Sequence, residues 1–200
     1  MAADFFDALK LRRSIYGITK KASVPDERIE SILKDALLHT PSAYNSQSAR
    51  LILLLGKSHD ELWDAVKDTL AKIAVSPEAF ARTEKKIDGF KAGYGTVLFF
   101  EDQAVIQKLQ DENPLYKDVF PGWSLNSAGM IQFVVWTSLA AEGMGASLQH
   151  YNPLIDEWVQ KKTGVPAAWR LLAQMPFGVA NAPAGDKSFL PVEERFKVFS

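Results

Sequence analysis

Residues 123–143 read Trp123-Ser124-Leu125-Asn126-Ser127-Ala128-Gly129-Met130-Ile131-Gln132-Phe133-Val134-Val135-Trp136-Thr137-Ser138-Leu139-Ala140-Ala141-Glu142-Gly143. Only Glu142 in this stretch is charged. Wound as a helix, Met130, Ile131, Phe133, Val134, Val135, Trp136, Leu139 and Ala140 leave a narrow polar side. A helix that is apolar over most of its circumference belongs at the centre of a core or an interface. The other elements are expected to pack around it.

Towards the N-terminus, Gly95–Glu101 is a continuous apolar run through Val97, Leu98, Phe99 and Phe100, and it predicts a buried strand. Arg50–Gly56 is a second such run and is expected to be buried in the same way. Between the two, Ser58-His59-Asp60-Glu61 has the capping-box pattern and predicts a helix to about residue 74. Pro77 opens another, to about 89. Earlier still, Phe5, Phe6, Ala8 and Leu9 fit a short helix over 4–11. Ile29, Ile32, Leu33, Ala36 and Leu37 fit a longer helix, with Ser23 as its cap, Pro25 in its first turn and Pro41 at its end. Residues 102–121 fit a short helix followed by irregular chain. Towards the C-terminus, Pro153 is expected to begin a helix ending near Gly164. Trp169–Val179 predicts a third strand, with Pro176 at an edge or bulge. Helices outnumber strands and the two do not alternate strictly. The fold class is therefore α+β, one domain over 1–200 around a small sheet. The tail carries Phe189, Leu190, Phe196, Val198 and Phe199, so it is expected to pack on the body or on a partner subunit.

Composition excludes several functions. The formal net charge is −1, which argues against a nucleic-acid binder or an anionic-membrane binder. There is no cysteine, hence no disulfide, thiolate nucleophile or cysteine metal site. His39, His59 and His150 are far apart and lack metal-ligand spacing, and His39 and His59 read as structural or exposed. Met1–Leu11 carries Asp4 and Asp7 and has no apolar signal core. The expectation is a cytoplasmic protein without a membrane span.

Three segments could carry chemistry. Arg12-Arg13-Ser14 near one end and Arg195 with Lys197 near the other could close one anion site, because arginine forks suit phosphate. Both clusters also fit solvated surface charge. Pro41-Ser42-Ala43-Tyr44-Asn45-Ser46-Gln47-Ser48 is dense in short donors and acceptors, although taken alone it reads better as an ordinary helix-to-strand turn. Gly143-Met144-Gly145-Ala146-Ser147-Leu148-Gln149-His150-Tyr151 would let a flat ligand approach the backbone, and it also reads as a helix cap leading into a connector. It is not a dinucleotide fingerprint.

Taken in order and closed by Arg195-Phe196-Lys197, these segments resemble the nitroreductase family of flavin mononucleotide (FMN) proteins. Arg12-Arg13-Ser14-Ile15-Tyr16 and Leu148-Gln149-His150-Tyr151-Asn152-Pro153 are similar to its compact, fatty-acid-repression-like subgroup. The resemblance implies a sandwich with a small central β-sheet flanked by helices, forming an intertwined homodimer with FMN sites at the interface. Arg12, Arg13 and Ser14, with Arg195 and Lys197, match the cofactor phosphate and ribityl contacts. Pro41, Ser42, Ala43, Asn45 and Gln47 match a loop lent by the partner subunit. Leu148, Gln149 and His150 match the segment on the flavin ring, with a backbone N–H near His150 facing the reactive flavin nitrogen. No side chain is expected to be catalytic and no metal is implied. Tyr16 stands where many members carry a basic residue near the flavin. The implied activity is reduction of nitroaromatics or quinones by NADH or NADPH through FMN, by a ping-pong mechanism. The alternative is an FMN-binding redox-sensing or regulatory dimer with little turnover.

Overall fold

The computed structural model describes residues 4–200. Helix α1 (Phe5–Leu11) is capped by Asp4, whose carboxylate accepts from the Asp7 N–H at 2.8 Å. Helix α2 (Asp26–His39) follows an extended stretch and buries Ile29, Ile32, Leu33 and Ala36, its predicted stripe. Strand β1 (Ala49–Leu55) leads directly into α3 (Gly56–Ile73), and Ser76 caps α4 (Pro77–Lys91). Strand β2 (Gly95–Asp102) is followed by α5 (Gln103–Glu112) and by the long helix α6 (Phe120–Ala141). The chain ends its ordered core with β3 (Gly145–Ala146), α7 (Asp156–Thr163) and β4 (Trp169–Gly178).

The four strands form an antiparallel sheet in the order β1-β2-β4-β3. Side chains alternate across β2, so it feeds two cores. Val97 and Phe99 meet Ile29 and Leu33 of α2 and Ile131, Val135 and Leu139 of α6. Leu98 and Phe100 meet Leu62, Trp63 and Val66 of α3, Ile87 and Phe90 of α4, and Val159 of α7. The result is a helix–sheet–helix sandwich, as expected. Phe99 faces Ala173 while Phe100 faces Leu171, so β4 carries one extra residue, Leu172, as a bulge. Val135 and Leu139 are fully buried under α6. Truncating a buried leucine to alanine costs about 2–5 kcal/mol, which is why this helix is the keystone of one layer.

Several expectations need correction. Ser23 does not cap α2. Pro25 occupies the cap position, and the Ser23 hydroxyl donates to the Glu142 carbonyl at 2.5 Å, tying the approach to α2 onto the end of α6. Helix α3 starts at Gly56, two residues before the capping pattern, because β1 turns straight into it at a positive φ of 50°. Strand β1 is an edge strand in which only Leu54 is buried. Pro176 lies in an interior strand, away from the bulge. Its carbonyl accepts from the Ser147 N–H at 3.3 Å, so its missing donor faces the point where β3 has already ended. Helix α7 begins at Asp156, three residues after Pro153, which instead accepts the Asp156 N–H at a turn. Of the two placements expected for the tail, on the body or on a partner subunit, its apolar residues do not take the first. Phe189, Leu190, Phe196, Val198 and Phe199 are 66–93% exposed.

Candidate functional site

Arg12 follows the last turn of α1 and closes it, its N–H donating to the Ala8 carbonyl at 3.0 Å. The next residues run beside β3: Ser14 bridges Ala146 in parallel, and the Ile15 N–H donates to the Ala146 carbonyl at 2.9 Å. Gly145 permits this approach, since a Cβ there would lie 2.8 Å from Ile15 Cγ2. Past β3 the chain continues along the edge of β4. Gln149 exchanges both backbone hydrogen bonds with Gln174, at 2.7 and 2.9 Å. The Gln174 side chain also accepts from the Tyr151 N–H at 2.7 Å. Strand alternation turns the His150 N–H away from β4, and among the described residues it donates to nothing. His150 itself is exposed. Gln149 is buried, and its amide donates to the Ser147 hydroxyl at 3.0 Å. Tyr151 anchors the segment against Trp63, with ring centroids 5.9 Å apart. Burial pushes its phenol up to about 12, so it stays neutral.

The electrostatics fit an anion. Arg28, Arg50 and Arg170 each hold a carboxylate, at 2.6, 2.9 and 3.0 Å. Among the described residues, Arg12, Arg13, Arg195 and Lys197 hold none. The Arg12 guanidinium lies 4.6 Å from the centroid of the Trp136 ring, and the Trp136 N–H is buried without a partner. Arg13 donates to the Gly185 carbonyl at 2.9 Å, joining the first cluster to the start of the tail. Ser14 and Tyr16 are exposed. An anionic group suits this donor set.

The loop after α2 is separate from this edge. Tyr44, Asn45 and Gln47 have positive φ values of 56°, 50° and 50°. Non-glycine residues held this way cost of order 1–3 kcal/mol each and require support. The Ser42 hydroxyl accepts from the Gln47 N–H at 2.9 Å. The Ala43 N–H donates to Ser127 of α6 at 3.4 Å. Tyr44 stacks on Trp123 at 6.1 Å and meets Phe120 edge-on at 5.2 Å. Neither the composition nor the periodicity of the sequence indicated this aromatic group, because its partners are some eighty residues apart.

Within one chain, the bridge of Ser14 to Ala146 sets Arg12, Arg13 and Ser14 at β3, and Leu148, Gln149 and His150 follow β3 along the chain. Among the described residues, no hydrogen bond, ion pair or aromatic contact joins them to Pro41, Ser42, Ala43, Asn45 or Gln47, or to Arg195 or Lys197. Arg195 donates to the Leu190 carbonyl at 3.2 Å within the tail.

The profile of the Nitroreductase family matches residues 9–179, and the chain belongs to that family of oxidoreductases. That span includes both segments of the β3 edge and the loop, and it stops short of Arg195 and Lys197. Among its relatives, the Saccharomyces cerevisiae protein HBN1 is 34% identical over 192 residues, 94% of each chain. The nitroreductase FRM2 of the same yeast is 32% identical over 191 residues, 94% of this chain and 93% of its own. The nitroreductase CinD of Lactococcus lactis, solved with chloramphenicol, is 44% identical with a TM-score of 0.88, covering 98% of this chain and all of its own. No helix among the described residues is long and apolar enough to cross a membrane.

Proposed function

We propose that this nitroreductase-type oxidoreductase binds FMN and uses it to pass electrons from NADH or NADPH to nitroaromatics or quinones by a ping-pong mechanism. The observation carrying this reading is the Arg12–Ser14 segment laid along β3 beside the open 148–150 edge, its two arginines free of carboxylates. Bound FMN supplies a two-electron carrier between nicotinamide and acceptor. Arg12, Arg13 and Ser14 would hold its phosphate, joined by Arg195 and Lys197 from the tail. Leu148 and His150 would present the segment's free edge to the ring. Tyr16 brings no charge, so Arg13 or a helix end would have to supply the positive charge that many members carry at that position.

A homodimer accounts for the parts that one chain leaves apart. The loop carrying Pro41, Ser42, Ala43, Asn45 and Gln47 would reach the site of the other subunit. The exposed apolar tail would be covered there too, in an interface of the obligate size class. The absence of cysteine agrees with a cytoplasmic location.

The decisive experiment combines an absorbance spectrum with anaerobic titration. The purified protein should carry FMN, be reduced by NADH or NADPH, and be reoxidised by a quinone or nitro compound. Double-reciprocal plots should be parallel, and sedimentation at low micromolar concentration should show a dimer. Protein that holds FMN and is not reduced by either nicotinamide would sink the enzymatic reading and leave the redox-sensing one.

A further inference from the structure

Arg12 differs from other arginines of the chain in what holds its side chain. Arg28, Arg50 and Arg170 each pair with a carboxylate, and the side chains of Arg13 and Arg195 donate to backbone carbonyls. Among the described residues, the Arg12 guanidinium donates to no protein oxygen. Its contact is the ring of Trp136, 4.6 Å from the guanidinium carbon to the centroid. The other cation–ring pairs among the described residues are longer. Arg50 lies 5.6 Å from Trp169, Lys86 5.6 Å from Phe90 and Lys187 5.0 Å from Phe189.

Trp136 is fixed from its other side. It lies on α6 beside the fully buried Val135 and packs against the core that α6 shares with α2 and the sheet. Its N–H is buried without a partner, so the indole contributes packing and an aromatic face rather than a hydrogen bond. Arg12 closes α1, which packs on α6, and it begins the segment that runs beside β3. The ring therefore ties a core helix to the first residue of the proposed phosphate segment.

The kind of partner matters at an anion site. A carboxylate neutralises an arginine and competes with an incoming anion. A ring attracts the cation through its quadrupole and takes none of its N–H groups. It also restricts a long side chain whose freedom is otherwise lost when the anion binds.

We propose that Trp136 is a positioning residue for the cofactor: its ring holds the Arg12 guanidinium charged and in place for the phosphate. The inference rests on the proposed FMN site and takes the phosphate from it. Trp136 acts through Arg12 on the affinity for a phosphate-bearing flavin and leaves contacts with the flavin ring alone.

The test measures FMN affinity by dilution of the holoprotein, read as recovery of flavin fluorescence, with riboflavin as a competitor that lacks the phosphate. Wild type should prefer FMN by at least about tenfold. Trp136→Leu should weaken FMN about three- to tenfold, as expected for an arginine on a half-buried indole, and riboflavin less than about twofold. Trp136→Phe keeps an aromatic face and deletes the unpaired N–H, so it should recover most of that loss. Mono-, di- and trifluorinated tryptophan at position 136 keep the shape and drain the ring's negative face. FMN affinity should fall stepwise along that series while riboflavin stays level, a trend that packing alone does not produce. In Arg12→Ala, Trp136→Leu should make no further difference. Thermal unfolding checks each variant, and the fluorinated series decides the matter if Trp136→Leu does not fold. A flat fluorinated series, equal losses for FMN and riboflavin, or the same loss without Arg12 would each overturn the inference while wild type still prefers FMN. A wild type without that preference would overturn the phosphate assignment itself, and this inference with it.

Discussion

Replacing Arg12 with alanine separates the role of its charge from its role in the fold. Arg12 holds no carboxylate, and its tertiary contact is the face of Trp136 at 4.6 Å. An arginine over a partly exposed ring contributes about 0.5–1 kcal/mol. For a chain of this length that corresponds to about 2–4 °C of melting temperature at most. A phosphate contact is larger, since a hydrogen bond to a charged group is worth about 1.5–3 kcal/mol. FMN affinity should therefore fall about tenfold to over a hundredfold while the protein stays folded. Riboflavin has the same ring and ribityl chain without the phosphate, so its affinity should change less than about threefold. The assay is fluorescence titration of both flavins into apoprotein, wild type and variant, alongside thermal unfolding. Equal losses for FMN and riboflavin would refute the phosphate assignment. A large fall in melting temperature would show that Arg12 serves the fold instead.

Gly178→Ala should be strongly destabilising, by about 1–3 kcal/mol or more, because the new Cβ would lie 2.2 Å from the Thr19 carbonyl and neither backbone can yield; a wild-type melting temperature would contradict the packing at the end of β4. His59 should make stability depend on pH. It is 1% exposed, its Nε2 lies 3.1 Å from the Lys91 carbonyl, and its Nδ1 lies 2.8 Å from the Thr96 hydroxyl, which also accepts from Trp63. That chain is complete with a neutral ring, and desolvation by burial holds the imidazole below its ordinary 6.5. The stabilisation is present above 6.5 and is lost as pH falls from there through the folded-state value, with a slope of at most about 1.4 kcal/mol per pH unit. Chemical denaturation from pH 7.5 to 5 should show this slope in wild type and not in His59→Gln; the same slope in both would exclude His59 as its source. His150→Ala should keep much of the activity, because the exposed side chain is not what faces the site, and a loss beyond about tenfold would assign the imidazole a direct part.

Local pattern made the elements legible, whereas their arrangement depended on distant partners. Val97–Phe100 and the 123–143 stretch announced a strand and a helix because their burial is continuous along the sequence. The edge position of β1 could not be read from Leu51–Leu55, since an apolar run looks the same whether one neighbour strand pairs with it or two. Strand β3 is two residues long, too short for any periodicity, and is defined by its pairing with Phe177 and Gly178 of β4. Ser23 was misread for a related reason: a hydroxyl before a helical stripe resembles a cap, and nothing nearby announces the Glu142 carbonyl it meets instead. The segments proposed for the cofactor come from family resemblance, which names residues without fixing their surroundings.

Glu101 shows most sharply what the sequence withheld. At the end of an apolar strand, a lone glutamate reads as the polar residue that stops the run. Its burial follows from three remote features: Arg170 across the bulged ladder, Gln103 at the start of α5, and α6 laid over the strand end. Together they satisfy one carboxylate oxygen and shut water away from the other. The same helix that builds the core with Val135 and Leu139 lines a cavity with Ser124, Ser127 and Ala128 about two to three turns before Val135. A helix with so little polar surface can therefore do two things along its length, sealing a core at one end and framing a cavity at the other. The polar residues in its first half, which look like interruptions of an apolar stripe, are what make the difference.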